Sequence, residues 1–422
     1  MRHNATAVSI SDDIEEPHTI TTPAPGLTRS TGRRNRWAEL VLAGVSLVVT
    51  LVIAVGIAEY FVRQRERTRS TVPGTMPTMY YQHERLLHAL VRNYDYFGWA
   101  HVGPQGFRGI ADVPVRRTAG TIRVMAIGSS TTFDIGVTAD SNAWPARLER
   151  LLNAQLAPAK VEVINAGVPG YSALDDLIRL QTDLYRYQPD LIIFYEGHND
   201  LFGTLRRTVD LPQPTDRPDV VVAATPWAQW LARHSLLYDK LLSKGQVLTR
   251  VAKGHRLRDD RARPATRFDS VLADGARDFE RNVRSFVLVA KSLGLPVVIP
   301  QLVFAGDTTA AHGGPLKQEW SQAVPYTNTA HVLDGYAQFN RVLRRVAEQE
   351  SLHFIPTEGF GLQSTSFYAE GDPIHFNDSG ARRMAEKLAE ALIALKAIPG
   401  APAAVEKRAA MRTEAAYTTA SQ

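Results

Sequence analysis

The stretch RVMAIGSSTT, residues 123–132, decides the fold class of this chain. It begins with a short and mainly apolar run, Arg123–Ile127, and continues with a glycine and four small hydroxyl-bearing residues. A nearly continuous apolar run of this length predicts a strand that is buried on both faces, as in a parallel sheet. Four more runs of this kind follow along the chain: Val161–Asn165, Asp190–Tyr195, Leu295–Leu302 and His353–Ile355.

Helical stretches lie between these predicted strands and after the last one. They are Ala143–Leu156, Ala173–Tyr187, Arg277–Leu293, Leu333–Glu350 and Ser379–Ala397. Strands that alternate with helices predict an α/β fold with a doubly wound five-stranded parallel sheet. In such a fold we expect the functional site at the carboxyl ends of the strands.

Small and polar residues follow three of the predicted strands. Ser130 lies in a Gly-Ser-Ser turn after the first, Gly170 in a loop with two glycines and a proline after the second, and Asn199 in Gly-His-Asn-Asp after the third. A serine hydroxyl can act as a nucleophile, whereas backbone N–H groups and an asparagine amide can bind a developing oxyanion. Each motif on its own is also typical of an ordinary helix N-cap or tight turn.

A fourth motif, Asp372-Pro373-Ile374-His375, precedes the last predicted helix. Histidine is the general base that works near neutral pH, and a carboxylate three residues earlier can reach its other ring nitrogen. The structural alternative is a turn with a capping aspartate. Because all four motifs fall at strand or loop ends, together they predict one site with a nucleophile, oxyanion donors and an oriented base.

These motifs resemble the sequence blocks of the SGNH hydrolases, also called GDSL-type esterases and lipases. Gly128-Ser129-Ser130 is similar to the first block, which implies that Ser130 is the nucleophile. The pair Asp372 and His375 is similar to the fifth block and implies the acid and the base of a Ser-His-Asp triad. The resemblance covers about residues 120–397 and implies a flavodoxin-like arrangement of the sheet.

The second and third blocks imply the oxyanion hole. The loop after the second strand points to the backbone N–H of Gly170, with Gly167 as the alternative, and Gly197–Asp200 points to the side chain of Asn199. The backbone N–H of Ser130 is the third implied donor. The resemblance implies hydrolysis of carboxylic esters, such as acyl or acetyl esters, with no metal or cofactor.

Two features depart from the family pattern. Ser129 stands where the first block usually has an aspartate, which is not one of the catalytic groups. An insertion at about residues 202–276 has no counterpart in the family, and it contains Trp227 and Trp230 followed by a basic stretch from Lys244 to Arg267. Such a basic stretch is typical of a solvated protein surface. The alternative interpretation is that the insertion forms a cap that attracts an anionic glycan or lipid surface.

An uncharged run, Leu40–Ala58, is 19 residues long, which suffices to cross about 30 Å of hydrocarbon as a helix. With aromatic residues on both flanks, it predicts a transmembrane helix over residues 37–62. A buried core helix and a cleaved signal peptide are the alternatives. We expect a single-pass membrane protein with a cytoplasmic N-terminus and an extracytoplasmic catalytic domain.

The remaining segments complete the predicted organisation of the chain. Polar compositions predict disordered tails over residues 1–36 and 398–422. Residues 63–119 are predicted as a linker and N-terminal extension, and residues 120–397 as the hydrolase domain.

Composition excludes several classes of protein among the 422 residues. There are no cysteines, so disulfide frameworks and a cysteine nucleophile are ruled out. The net charge of +5 comes without a nucleic-acid-binding motif, so no nucleic-acid partner is expected. Four histidines lie without metal-ligand spacing and are interpreted as core or surface residues: His198, His312, His331 and His353. For His198, which lies inside the third block, a place in the lining of the pocket is the alternative.

The expected partners are therefore an ester substrate, which membrane tethering suggests is an acylated glycan or lipid, and the membrane itself. Two other functions use the same sequence features. An O-acyltransferase would pass the acyl group to an envelope glycan, but in related members with that activity the Asp-His pair precedes the serine. A membrane-tethered binding module would have an inactive site, whereas here every catalytic position holds a competent residue.

Overall fold

The structure is a computed structural model. It describes residues 34–67, 79–207 without 82, 87 and 110, 225–245 without 243 and 244, 268–305 and 329–399. Most of the two predicted tails, residues 1–33 and 400–422, and residues 246–267 of the basic stretch lie outside the described residues. The chain divides into two compact units, Met1–Ile57 and Ala58–Gln422.

The strands form one large sheet and two small hairpins. In chain order they are β1 (Tyr80–Tyr81), β2 (Ala89–Leu90), β3 (Tyr94–Tyr96), β4 (Ala100–Val102), β5 (Thr121–Gly128), β6 (Lys160–Asn165), β7 (Leu191–Tyr195), β8 (Val297–Pro300) and β9 (His353–Ile355). The large sheet has the order β6-β5-β7-β8-β9, and every neighbouring pair in it is parallel. The five-stranded parallel sheet predicted from the sequence is confirmed.

The helices begin with the apolar one and then flank the sheet. They are α1 (Arg34–Arg67), α2 (Ser130–Phe133), α3 (Trp144–Leu156), α4 (Ala173–Thr182), α5 (His198–Arg207), α6 (Pro226–His234), α7 (Phe268–Ser292), α8 (Thr329–Gln349) and α9 (Asp378–Ala394). The helix predicted from Arg277 begins nine residues earlier, where Leu272 is already buried in the core. The stretch predicted as one helix to Tyr187 is divided at Asp183 into α4 and a 3₁₀ turn.

The sheet is buried because its central strand is apolar on both faces. All eight residues of β5 are buried, and Val124 pairs with Val163 on one side and with Leu191 on the other. The chain leaves β5 towards β6 and leaves β7 towards β8, in opposite directions across the sheet. The carboxyl ends of β5 and β7 therefore form the topological switch point, where a doubly wound sheet binds its ligand.

The last residue of β5 must be a glycine. Gly128 has φ +155°, and a Cβ atom on it would lie 2.2 Å from the carbonyl oxygen of Tyr195 at the end of β7. This close approach brings the turn that follows β5 against the end of β7.

Residues 79–109 of the N-terminal extension pack onto the loops at these strand ends. Tyr96 and Trp99 belong to a second hydrophobic cluster that also contains Phe133 and Tyr171. The extension thus contributes to the surroundings of the switch point, although its strands of two or three residues were too short to be predicted.

Helix α1 is longer than the predicted span of residues 37–62. It is the one helix among the described residues that is long and apolar enough to cross a membrane, and an 18-residue stretch within it has a mean hydropathy of 2.8. Its large apolar side chains, from Trp37 to Phe61, are exposed.

Candidate active site

Three predicted site residues meet in one hydrogen-bonded chain. His375 Nε2 lies 2.8 Å from the hydroxyl oxygen of Ser130. On the other side of the same ring, Nδ1 lies 2.7 Å from Oδ2 of Asp372. Residues that are 245 positions apart in the sequence are thus brought to hydrogen-bond distance at the carboxyl edge of the sheet.

The local turn fixes the carboxylate under the imidazole. Oδ1 of Asp372 accepts the backbone N–H groups of Ile374 and His375, each at 2.8 Å, which leaves Oδ2 directed at the ring. Burial raises the pKa of Asp372, but the opposing effects of the His375 charge and of these hydrogen bonds are larger, so the pKa is lowered. The carboxylate therefore stays ionised and orients the ring.

Ser130 is held by a short and well-braced helix. It is the first residue of α2, and its side chain is mostly buried. The indole N–H of Trp144 donates to the carbonyl oxygen of Thr131 at 3.0 Å, and the hydroxyl of Thr132 donates to the carbonyl oxygen of Tyr195 at 2.9 Å. These contacts tie the turn to α3 and to the end of β7.

Ser129, the other serine of the motif, has different surroundings. It is completely buried and lies next to the carboxyl group of Glu196. Oε1 of Glu196 accepts the backbone N–H of Gly197 at 2.7 Å, and burial raises the pKa of Glu196 well above its ordinary value. Of the two serines, only Ser130 is hydrogen-bonded to the histidine.

The two further predicted residues lie on neighbouring segments, Gly170 in a loop and Asn199 in a helix. The side-chain amide of Asn199, at the start of α5, donates to the carbonyl oxygen of Tyr171 at 2.8 Å. Tyr171 directly follows Gly170, whose φ of +88° gives the loop a conformation that suits glycine. The bond therefore joins the segments that contain Asn199 and Gly170.

Gly167, the alternative to Gly170, has a packing role. Its backbone N–H donates to the side chain of Asn165 at 3.1 Å. A Cβ atom on Gly167 would lie 2.2 Å from the backbone nitrogen of Phe133, so this glycine lets the loop lie directly against α2.

His198, between Gly197 and Asn199, is a core residue. It is completely buried, and its Nδ1 lies 2.8 Å from the hydroxyl of Tyr336. Burial, with a further contribution from the charge of His375, lowers the pKa of His198 to about 3. The imidazole is therefore neutral at physiological pH and packs as a polar member of the core.

Arg108, in the N-terminal extension, supports the turn that contains Ser130, and it was not predicted from the sequence. Its guanidinium donates to the carbonyl oxygens of Phe133 at 2.7 Å and of Asp134 at 2.8 Å, at the carboxyl end of α2. A further donor pairs with Asp140 at 2.8 Å, and the group lies 4.7 Å from the centre of the Phe133 ring. A single arginine in an irregular segment carries no sequence signal for such a role.

Asp134 is a second supporting residue that the sequence did not reveal. It has φ +71°, and its Oδ2 accepts the backbone N–H of Trp144 at 2.8 Å, so it joins the end of α2 to the start of α3. Burial is the largest influence on this carboxyl and raises its pKa to about 8.

Comparison with known proteins shows the family to which this chain belongs. The family described as GDSL-like Lipase/Acylhydrolase matches residues 126–383, which include all the motifs described above. None of the curated protein sequences compared matches this chain.

Several solved structures are similar to this chain. A lipase/acylhydrolase from Enterococcus faecalis is 14% identical, with 64% of this chain and 95% of that chain covered and a TM-score of 0.38. An α/β hydrolase, LAE5, from the metagenome of Lake Arreo is 18% identical, with 63% and 93% covered and a TM-score of 0.38. The acetylxylan esterase Axe2 from Geobacillus stearothermophilus is 16% identical, with 63% and 92% covered and a TM-score of 0.37. Because the family match spans more than half of the 422 residues, the chain belongs to the GDSL-like lipase/acylhydrolase family.

Proposed function

We propose that this protein is a membrane-anchored serine hydrolase that cleaves carboxylic esters, either acyl or acetyl. Membership of the GDSL-like family supports ester cleavage in general. The observation that carries the specific proposal is the continuous chain from Ser130 through His375 to Asp372, with contacts of 2.8 and 2.7 Å. Nucleophile, base and orienting acid in this order are what acyl transfer through a serine requires.

In the proposed reaction, the oxygen of Ser130 attacks the ester carbonyl carbon while Nε2 of His375 takes its proton. The tetrahedral intermediate then collapses, and the alcohol leaves with the proton returned by His375. Water, deprotonated by the same histidine, attacks the acyl carbon; the bond to the Ser130 oxygen then breaks, His375 returns the proton to that oxygen, and the carboxylic acid is released. Asp372 holds the ring and stabilises its charged form throughout.

The oxyanion donors in this proposal are the backbone N–H groups of Ser130 and Gly170 and the side-chain amide of Asn199. The amide of Asn199 carries two hydrogens, and its bond to Tyr171 uses one of them and fixes the plane of the group. The other can then meet the negative oxygen of the intermediate. The backbone N–H of Ser130 lies at the N-terminus of α2 and belongs to the same residue as the attacking oxygen.

For the substrate we propose an acyl ester on a glycan or a lipid near the membrane. Helix α1, which is long and apolar enough to span a bilayer, supports the anchoring part of this proposal. The catalytic domain would then face the extracytoplasmic side, where envelope glycans and lipids carry such esters.

Labelling with a fluorophosphonate tests the nucleophile directly. We expect the full-length wild-type protein and Ser129→Ala to be labelled, and Ser130→Ala to remain unlabelled. Loss of labelling in Ser129→Ala with retention in Ser130→Ala would reverse the two assignments.

Hydrolysis of short- and long-chain p-nitrophenyl esters tests the reaction and the acyl length. The wild type should release p-nitrophenol with each turnover, and Ser130→Ala should not. If the acyl group appears on an added sugar acceptor instead of water, the protein is an O-acyltransferase and the hydrolase proposal is wrong.

A further inference from the structure

Helix α6, in the insertion that the family pattern does not explain, exposes two tryptophans. The exposed fractions of Trp227 and Trp230 are 63% and 59%. Residues three apart lie on the same face of a helix, and Ala228, between them, is buried. Adjacent exposed indoles form an apolar face of the kind that marks an interaction site.

The contacts of the next helical segment place α6 beside residues 59–63 of α1. The carboxylate of Glu59, one residue beyond the apolar run of α1, accepts the backbone N–H groups of Leu236 and Leu237, each at 2.9 Å. It also accepts the hydroxyl of Ser235 at 2.9 Å. Glu59 therefore caps the helical residues 236–242 that directly follow α6.

Arg63 makes a second connection, one turn further along α1. Its guanidinium donates to the carbonyl oxygen of His234, the last residue of α6, at 3.2 Å. The ring of His234 stacks on that of Trp230, with 4.5 Å between the ring centres. One residue, His234, therefore contacts both Trp230 and Arg63.

The N-terminal extension also contacts Arg63 of α1 and the helical residues that follow α6. The buried hydroxyl of Tyr96 donates to Asp239 at 2.9 Å, and the guanidinium of Arg63 lies 5.0 Å from the ring of Phe97. The end of α6 and the helical residues that follow it are thus held by residues 59–63 and by the N-terminal extension.

The spacing along α1 matches the thickness of the headgroup layer. At about 1.5 Å per residue, Arg63 lies about 7.5 Å beyond Ala58, where the apolar run ends. A bilayer has a hydrocarbon core of about 30 Å within a total of about 40–45 Å, which leaves about 5–8 Å of headgroups on each side. Tyr60 and Phe61, also exposed, fall within this layer, which interfacial aromatic residues prefer.

We propose that the Trp227–Trp230 face of α6 lies in the headgroup layer of the phospholipid bilayer that α1 spans, and acts as a second membrane contact of the catalytic domain. The inference rests on the proposed membrane anchoring. We assign phospholipid headgroups as the partner of this face because His234, which stacks on Trp230, is hydrogen-bonded to Arg63. Arg63 belongs to the same continuous helix as the apolar run. One span alone leaves a domain free to tilt, whereas a second contact fixes which side faces the lipid.

Fluorescence of single labelled cysteines tests this proposal in the full-length protein. Because the chain has no cysteine, Trp227→Cys and Trp230→Cys each give one labelling site for an environment-sensitive nitrobenzoxadiazole probe. The proteins are reconstituted into phosphatidylcholine nanodiscs with and without a lipid that carries a nitroxide quencher near the headgroup. Leu288→Cys, at an exposed leucine of α7, is the matched control, and Val48→Cys reports whether α1 is in the bilayer.

We expect a shift of emission to shorter wavelength and a loss of fluorescence with the quencher lipid at positions 227 and 230, and neither change at position 288. Position 48, near the middle of the apolar run, should show the shift to shorter wavelength, and this shift is its response. If position 48 responds but 227 and 230 behave like 288, the second contact is wrong and the anchoring stands. If position 48 does not respond, both fail. A shift at 227 and 230 without quenching would indicate a protein partner, such as a second copy, and would also overturn the proposal.

Discussion

The guanidinium of Arg108 donates a hydrogen bond to the carbonyl oxygen of Phe133, 2.7 Å away, at the end of the helical turn that Ser130 begins. The N-terminal extension therefore braces the turn of the candidate nucleophile. The carbonyl oxygens at the end of such a short helix have no partners within it, so a buried cation satisfies them and opposes their negative dipole.

Substitution of Arg108 tests this bracing. Arg108→Met removes the donors to the carbonyl oxygens of Phe133 and Asp134 and leaves Asp140 without its buried partner. We expect the free energy of unfolding, measured with urea, to fall by about 3–5 kcal/mol, as when one member of a buried ion pair is removed. In the fraction that remains folded, kcat should fall more than KM rises, because the nucleophile is misplaced while the substrate-binding surface is retained.

Arg117→Met is the control for Arg108, since this arginine is largely exposed and pairs with Asp190 at the surface. Such pairs contribute about 0–1 kcal/mol, so stability and kcat should be close to wild type. Equal losses in the two variants would contradict a specific role for Arg108.

Asn199→Ala removes one proposed oxyanion donor. Loss of such a donor costs about 2.7–4 kcal/mol of transition-state stabilisation, so we expect kcat to fall by about 100-fold or more. The control is Asn153→Ala, because Asn153 pairs with the backbone of Val161 away from the candidate site. That variant should lose stability but keep its kcat, and near-normal turnover in Asn199→Ala would remove this residue from the oxyanion hole.

His375→Ala should abolish both p-nitrophenyl ester hydrolysis and fluorophosphonate labelling, because Ser130 then has no base to take its proton. His353→Ala, at an exposed histidine of β9, is the matched control and should be labelled at the wild-type rate. Persistent labelling of His375→Ala would show that another group activates the serine.

Stability should depend on pH through Asp134. Because its pKa is raised from 3.8 to about 8, the native protein holds this proton where the unfolded chain has lost it. The free energy of unfolding should therefore fall as the pH rises through this window, and Asp134→Asn should remove that part of the slope. Thermal unfolding across the window measures it, with Asp112→Asn, at an exposed aspartate, as the control. An unchanged slope in Asp134→Asn would show that this carboxyl does not titrate as described.

Continuous apolar runs made the parallel sheet predictable, because a strand that is buried on both faces consists almost entirely of apolar residues. All five predicted strands are present, and Ser130, His375 and Asp372 are found together after being predicted from local motifs. Motifs at strand ends could be placed on one edge because parallel strands share their carboxyl side.

The supporting residues could not be predicted, because their roles depend on contacts between distant segments. Arg108 reaches a turn 25 residues away, and nothing in its neighbours indicates a buried cation. Asp134 adopts a left-handed backbone conformation that aspartate seldom needs, and its carboxyl becomes buried only once α3 packs against the turn. The hairpins of the extension contain too few residues to show any periodicity.

The four-residue turn that contains Asp372 and His375 has a consequence for biosynthesis. Asp372 lies three residues before His375, and its carboxylate is hydrogen-bonded to the imidazole and to two backbone N–H groups. During translation the hydroxyl of Ser130 emerges 245 residues before His375, so the nascent polypeptide lacks the proposed base until residue 375 has been made. In the proposed mechanism, the serine is therefore without its base while the strands of the sheet are being synthesised.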